Sequence, residues 1–165
     1  MRKQKGFSLL ELLIVVAIIL IIAAIAIPNL LRARMAANEA SAVSSIRTIN
    51  TAMITYVSSY PDVGYAANLA ALGPSAATPC AASSTNACLI DAVLASGVKS
   101  GYNFVAASAD GPPADQYYAA GTPVTLNQTG TMSFCSFEDA VVRVDPTGGA
   151  VGSEAACQAL SPMGN

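Results

Sequence analysis

The first pattern along the chain is an apolar run close to the N-terminus. Every residue from Leu12 to Ile27 is apolar, and the run reaches back to Phe7 if Ser8 and Glu11 are allowed within it. A membrane-spanning helix needs about 20 mainly apolar residues. Segment 7–27 therefore has the length and composition expected of a transmembrane helix.

A helical pattern continues beyond the apolar run. Apolar residues recur there at steps of three and four, which places them on one face of a helix. They are Ala42, Ile46, Ile49, Met53, Tyr56 and Tyr60. Pro61 ends the pattern, because proline lacks a backbone N–H and disfavours helix at the residue before it. We therefore predict one long helical zone over residues 7–60, amphipathic over 28–60.

Pro28 lies inside this helical zone. Proline removes one backbone hydrogen bond and its ring clashes with the preceding turn. Two interpretations stay open with equal weight. One is a static kink, which is common in membrane helices. The other is a helix break, a place where the helix locally unwinds.

The remaining zone, 61–165, is rich in glycine, proline, serine and alanine. Segments that carry strand patterns between turn residues predict four strands, and shorter apolar clusters predict two short helices. The strands are 101–107, 116–120, 130–137 and 140–145, and the helices are 66–72 and 88–95. Met132 and Phe134 alternate with Ser133, as expected of a half-buried strand. A helix followed by strands at hairpin spacing predicts an α+β fold, in which the long N-terminal helix packs against a small antiparallel β-sheet domain.

Charge is unevenly distributed along the chain, which has a formal net charge of -2 and only 11% charged residues. Arg2, Lys3 and Lys5 precede the apolar run, and basic residues beside a first span tend to stay in the cytoplasm. After Pro61, two basic residues stand against eight acidic ones. This acidic part lacks the clustered basic residues that would indicate nucleic acid as a direct specific ligand.

All four cysteines lie in the C-terminal zone: Cys80, Cys88, Cys135 and Cys157. An even count beyond a membrane segment is typical of disulfides in an oxidising compartment. Sequence neighbours meet most readily in a loop-rich domain, so we predict the pairs Cys80–Cys88 and Cys135–Cys157, out of three possible pairings. Buried free thiols are the alternative. Zinc is disfavoured, because the chain has no His and no Cys-x-x-Cys pair.

Glu11 is the one charged residue of the apolar run. An acidic residue at the centre of a membrane helix costs about 2.5–3.5 kcal/mol, and such residues usually have a partner. No basic side chain lies between Glu11 and Arg32. A cut after Gly6 would give Phe7 a cationic amine, one helical turn from Glu11 of the same chain. That amine could equally meet Glu11 of a neighbouring copy.

The basic leader ending in Gly6, the following Phe7, Glu11 and the long apolar run together resemble the class III signal of type IV prepilins and type II secretion pseudopilins. Pro28 and the basic pair Arg32 and Arg34 also fit that pattern. The resemblance covers roughly the first 60 residues. Beyond them only the architecture and a Cys-bounded C-terminal segment agree.

The resemblance implies specific roles. Residues 1–6 would be a leader, cut after Gly6 by a prepilin peptidase, and Phe7 would become the N-methylated first residue. Glu11 would pair with the amine of a neighbouring subunit during assembly. Residues 7–27 would form the filament core after assembly, and the neighbourhood of Leu20 to Pro28 would be the part that can unwind there. Residues 61–165 would form the globular pilin head.

These implications lead to one expected function and several alternatives. We expect a structural subunit of an extracellular filament, the major pilin of a type IV pilus serving adhesion, motility or DNA uptake. It would leave the inner membrane through the pilus assembly machinery and form a helical homopolymer on the cell surface. We expect no enzyme activity, cofactor or metal.

A pseudopilin of a type II secretion system is the alternative, and a membrane-anchored periplasmic enzyme or binding module is a third class. An ordinary secretory signal peptide is disfavoured by the length of the run, although Ala24-Ile25-Ala26 resembles a cleavage site. Asp139 and Asp145 could surround a cation, but surface or turn positions are the stronger interpretation for both.

Overall fold

The computed structural model describes residues 7–77, 79–108 and 111–164. The predicted leader 1–6, including Gly6, lies outside the described residues. The elements are four helices and six strands within the described part of the chain. In chain order they are α1 Leu9–Ser59, α2 Leu69–Leu72, α3 Ala92–Ala95, β1 Val98–Lys99, β2 Tyr102–Ser108, β3 Tyr117–Pro123, β4 Ser133–Phe137, β5 Arg143–Asp145, α4 Glu154–Gln158 and β6 Ser161–Pro162.

The chain divides into two compact units, Met1–Arg34 and Met35–Asn165. In the described part of the first unit, every side chain except that of Ala23 is exposed. The exposed apolar residues extend from Phe7 to Leu31. Helix α1 is long and apolar enough to cross a membrane, and its 18-residue apolar window has a mean hydropathy of 3.3. These side chains need lipid or other protein to cover them.

Helix α1 continues through Pro28, which lies inside the helical segment. The isolated chain therefore has no helix break at that position. A membrane-type helix can accept proline in this way, because local adjustments satisfy the freed carbonyl group. Local unwinding at Pro28 thus remains a prediction about the assembled form.

The second unit is a sheet packed on the later part of α1. Its six strands are antiparallel and follow one another in chain order, from β1 at one edge to β6 at the other. Each strand therefore pairs with the strand next to it in sequence. The predicted α+β fold, a long N-terminal helix against a small antiparallel sheet, is confirmed.

The predicted apolar face of α1 forms one side of the main core. Ala42, Ile46, Ile49, Met53 and Tyr56 are each at most 1% exposed. Buried aromatic side chains of the sheet belong to the same cluster: Tyr102, Phe104, Tyr117 and Phe134. Full burial of one large apolar side chain contributes about 1.5–3 kcal/mol, so this contact between helix and sheet is the main source of stability of the unit.

Strand β4 differs from the prediction, because it is buried on both faces instead of one. Phe134 belongs to the core on the helix side. Cys135 and Phe137 belong to a second core with Val151 and Cys157, which comes from α4. The half-buried pattern expected for this strand is therefore wrong, since α4 and its disulfide cover the outer face.

The short elements are placed less accurately by the sequence. Helix α2 begins after Asn68, whose side-chain oxygen accepts a hydrogen bond from the N–H of Ala71. Helix α3 begins only after Asp91, which caps it in the same way, and not at Cys88, where φ is +57°. Strands β1 and β6 and helix α4 were not predicted, because elements of two to five residues are too short to show a period.

Candidate functional site

Ser8 and Glu11 form a capping box at the start of α1. The N–H of Ser8 donates to Oε2 of Glu11 at 2.9 Å, and the N–H of Leu10 donates to Oγ of Ser8 at 3.3 Å. Two N–H groups that have no partner within the helix are satisfied in this way. The negative charge also lies where the helix dipole favours it. The spacing Ser-x-x-Glu carries this signal, although the sequence reasoning did not use it.

The capping box fixes where the predicted site residues lie. Phe7, the expected first residue of a processed chain, directly precedes the capped turn and is 76% exposed. Glu11 is also exposed, and within the described residues only its Oε2 accepts a hydrogen bond. The carboxylate is therefore held beside the backbone of Ser8, and its second oxygen accepts no hydrogen bond within the described residues. Such a group can accept from a cation without leaving its own helix.

The head contains the two predicted disulfides, Cys80–Cys88 and Cys135–Cys157. No cysteine is free. Cys135 and Cys157 are fully buried, so their bond ties α4 to β4 within the second core. Cys80 is exposed, and its bond to Cys88 closes a short loop beside α2. The disulfides therefore hold the parts of the head that have the least regular structure.

Asp139 and Asp145 are used locally in separate turns. Burial by itself would raise the pKa of Asp139. The hydrogen bond from Arg143 at 2.7 Å, the hydrogen bond from the N–H of Val141 and the charge of Arg143 together lower this pKa below its usual value. Asp145 accepts from the hydroxyl and the N–H of Thr147, and these bonds lower its pKa as well. Among the described residues, no group of three His, Cys, Asp or Glu side chains could hold a metal ion. Both aspartates thus behave as turn residues.

The N-terminal segment matches a known family model, and three relatives are similar to part of the chain. Residues 1–27 match the prokaryotic N-terminal methylation motif. The type IV wide pilus major component PilA4 of Thermus thermophilus is 67% identical over 39 residues, which cover 24% of this chain and 30% of the relative.

The other two relatives are a secretion-system protein and a pilin. The type II secretion system core protein G of Vibrio cholerae is 43% identical over 56 residues, covering 34% of this chain and 38% of the relative. The type IV major pilin protein PilA of Myxococcus xanthus is 41% identical over 56 residues, covering 34% and 26%.

The aligned segments thus span only about a quarter to two fifths of these relatives' lengths. No solved structure matches the chain. Three features occur together in this chain. They are the methylation motif, the long apolar helix with its capped Glu11, and the antiparallel sheet on the later part of that helix. The chain is therefore similar to type IV pilins and type II secretion pseudopilins.

Proposed function

We propose that the chain is a structural subunit of an extracellular filament, the major pilin of a type IV pilus. One observation carries the proposal: a helix with a methylation motif whose large apolar side chains, from Phe7 to Leu31, are exposed in the isolated chain. Lipid covers such a helix in the membrane, and neighbouring copies cover it in a polymer. The activity is then mechanical, and the chain is a substrate of enzymes and not itself an enzyme.

The proposed organisation follows the predicted boundaries. Residues 1–6 are a leader that a prepilin peptidase removes, 7–27 are the membrane and filament-core segment, 28–60 are the amphipathic part of the helix, and 61–165 are the head. The chain waits in the inner membrane, and the pilus assembly machinery transfers it into a helical homopolymer at the cell surface. Methylation of Phe7 follows the cut after Gly6.

A pseudopilin of a type II secretion system is the second candidate. The match to core protein G of Vibrio cholerae over 56 residues supports it, although the match to the Myxococcus pilin is equally long. The two candidates differ in where the polymer is found. A major pilin forms long surface filaments, whereas a pseudopilin acts on the periplasmic side of the outer membrane.

Glu11 provides the experiment that tests the proposal. The cut after Gly6 creates an amine at Phe7, next to the backbone that Glu11 already caps. A carboxylate left without a cation in apolar surroundings costs several kcal/mol, so a pairing between subunits would favour the correct axial register. Glu11→Ala and Glu11→Gln, each expressed as the sole copy, should insert into the membrane and form both disulfides but yield few or no filaments.

Leu12→Ala is the matched control, because it alters apolar packing at the adjacent exposed position and leaves the charge intact. It should polymerise much as the unmodified chain does. Electron microscopy of sheared surface material, together with immunoblots of membrane fractions, separates assembly from insertion. Abundant and normally ordered filaments from Glu11→Ala would show that the carboxylate only caps its own helix.

A further inference from the structure

An apolar groove lies on the helix side of the head, with a volume of about 360 Å³. We call it the Arg47 groove. Its lining includes Val43 of α1, Phe134 of β4, and the two partly buried methionines Met132 and Met163. Arg47 and Glu39 are the charged residues among its lining residues.

Arg47 is the cation of the second unit that has no salt-bridge partner in the described chain. Lys99 binds Asp91 at 2.9 Å, and Arg143 binds Asp139 at 2.7 Å. No salt bridge to Arg47 occurs among the described residues, and its side chain is exposed.

The other charged residue of the groove, Glu39, lies two helical turns before Arg47 on α1. Oε1 of Glu39 accepts from the N–H and the hydroxyl of Thr131, both at 2.7 Å. The groove therefore offers apolar side chains and one cation that has no salt-bridge partner among the described residues.

A surface of opposite character lies around α4. Glu154 begins this helix, and Glu138 follows β4. Burial and the negative charge of Glu138 raise the pKa of Glu154, and the charge of Asp115 adds a smaller effect in the same direction. Oε2 of Glu138 is buried and has no hydrogen-bond partner within the described residues. We call Asp115, Glu138, Glu154 and the exposed Ala155 of α4 the α4 surface.

One copy cannot bring these two regions together. Phe134, on the floor of the groove, belongs to the core between the sheet and α1. Helix α4 packs on the other face of the sheet, through Cys157 and the second core. The groove and the α4 surface therefore lie on opposite faces of the sheet, and only a second copy can join them.

We propose that the Arg47 groove of one copy docks the α4 surface of a second copy, with Arg47 placed between Glu138 and Glu154 and Ala155 set against the groove's apolar floor. The inference rests on the proposed filament function and names a contact between heads. Charge complementarity carries it: a free cation lies on one face, and carboxylates that repel one another lie on the other. Because the two surfaces differ, the contact is heterologous and can repeat from copy to copy without closing.

A charge exchange in the full-length chain tests this contact. Arg47→Glu and Glu154→Arg, each expressed as the sole copy, should lower the yield of surface filaments at least tenfold. The double variant that carries both changes should recover at least a third of the original yield, because the charges are exchanged and the pairing is kept. Thr48→Glu, which adds a negative charge at the adjacent exposed position outside the groove, is the control and should keep the original yield.

Folding is checked in every variant by membrane insertion and by peptide mapping of both disulfides, and Arg47→Gln replaces Arg47→Glu if the latter fails that check. Normal filament yield from the folded Arg47 variant, or a double variant that assembles no better than either single one, would overturn the contact while leaving the filament proposal intact. Absence of filaments from the unmodified chain, in a host that assembles other pilins, would instead remove the filament proposal and this inference with it.

Discussion

Asn50 is the polar residue that joins α1 to the sheet inside the core, and it is only 4% exposed. Its amide donates to Oγ of Ser136 at 2.9 Å, and its carbonyl oxygen accepts from the hydroxyl of Tyr117 at 3.2 Å. A longer contact of 3.4 Å reaches the carbonyl oxygen of Ala140. Tyr117 and Ser136 are fully buried, so water cannot easily replace Asn50 as their hydrogen-bond partner.

Replacement of Asn50 by Ala should therefore destabilise the head strongly. A buried polar group left without a partner costs about 1–3 kcal/mol. The hydroxyl of Tyr117 loses its partner outright, whereas Ser136 keeps a weak contact with the carbonyl oxygen of Phe137 at 3.5 Å. We expect a loss of about 2–4 kcal/mol, a large share of the 5–15 kcal/mol that is typical of a folded protein.

Urea unfolding of the full-length chain in mild detergent, followed by the near-ultraviolet circular dichroism of its tyrosines, measures this loss. Asn103→Ala is the matched control, because Asn103 is exposed on β2, and it should change stability by less than about 0.5 kcal/mol. Tyr117→Phe removes the orphaned hydroxyl, so the double variant Asn50→Ala/Tyr117→Phe should lose about 1 kcal/mol less than the sum of the single variants. Equal losses from Asn50→Ala and Asn103→Ala, or strict additivity, would refute the network as an energetic unit.

The disulfides should differ in their contribution, because Cys135 and Cys157 are 22 residues apart and fully buried, whereas Cys80 and Cys88 are 8 apart and Cys80 is exposed. Loop entropy alone gives about 3.4 kcal/mol for Cys135–Cys157 and about 2.5 kcal/mol for Cys80–Cys88, and lost packing adds to the first value. Replacing both cysteines of the buried pair by Ala should therefore lower the free energy of unfolding in urea by at least about 1 kcal/mol more than the same change at Cys80 and Cys88. An equal or reversed order would contradict this. Burial raises the pKa of Tyr117 well above its usual value of about 10. The unfolded chain therefore releases the Tyr117 proton at lower pH than the folded chain does. The free energy of unfolding should be unaffected below about pH 10 and should decrease as the pH rises above about 10. Tyr117→Phe should make this decrease smaller, and an unchanged dependence of stability on pH would be evidence against the explanation.

The long helix could be predicted closely from the sequence. The predicted helical zone 7–60 agrees with the observed helix Leu9–Ser59 within two residues at each end. The agreement is close because apolar residues at steps of three and four and a terminal proline are local signals. The same local signals placed Ile46, Ile49 and Met53 in the core correctly. The capping box at Ser8 and Glu11 was equally local, and its Ser-x-x-Glu spacing could have been recognised.

The remaining features depend on contacts between distant parts of the chain. The burial of β4 on both faces requires α4, whose Cys157 lies 22 residues after Cys135. Strand β6 has only two residues and exists because it pairs with β5. The Arg47 groove likewise combines α1 with Met132 and Met163, which no short window of sequence brings together.

The central claim is that this chain is cut after Gly6 and polymerises. Its most direct test is mass spectrometry of the intact subunit from purified surface filaments, with sequencing of its N-terminal peptide. We predict that the subunit begins at Phe7 with a methylated amine and contains both disulfides. A subunit that retains Met1 to Gly6, or one that begins at Ile27 after cleavage at an ordinary signal-peptide site, would contradict the account.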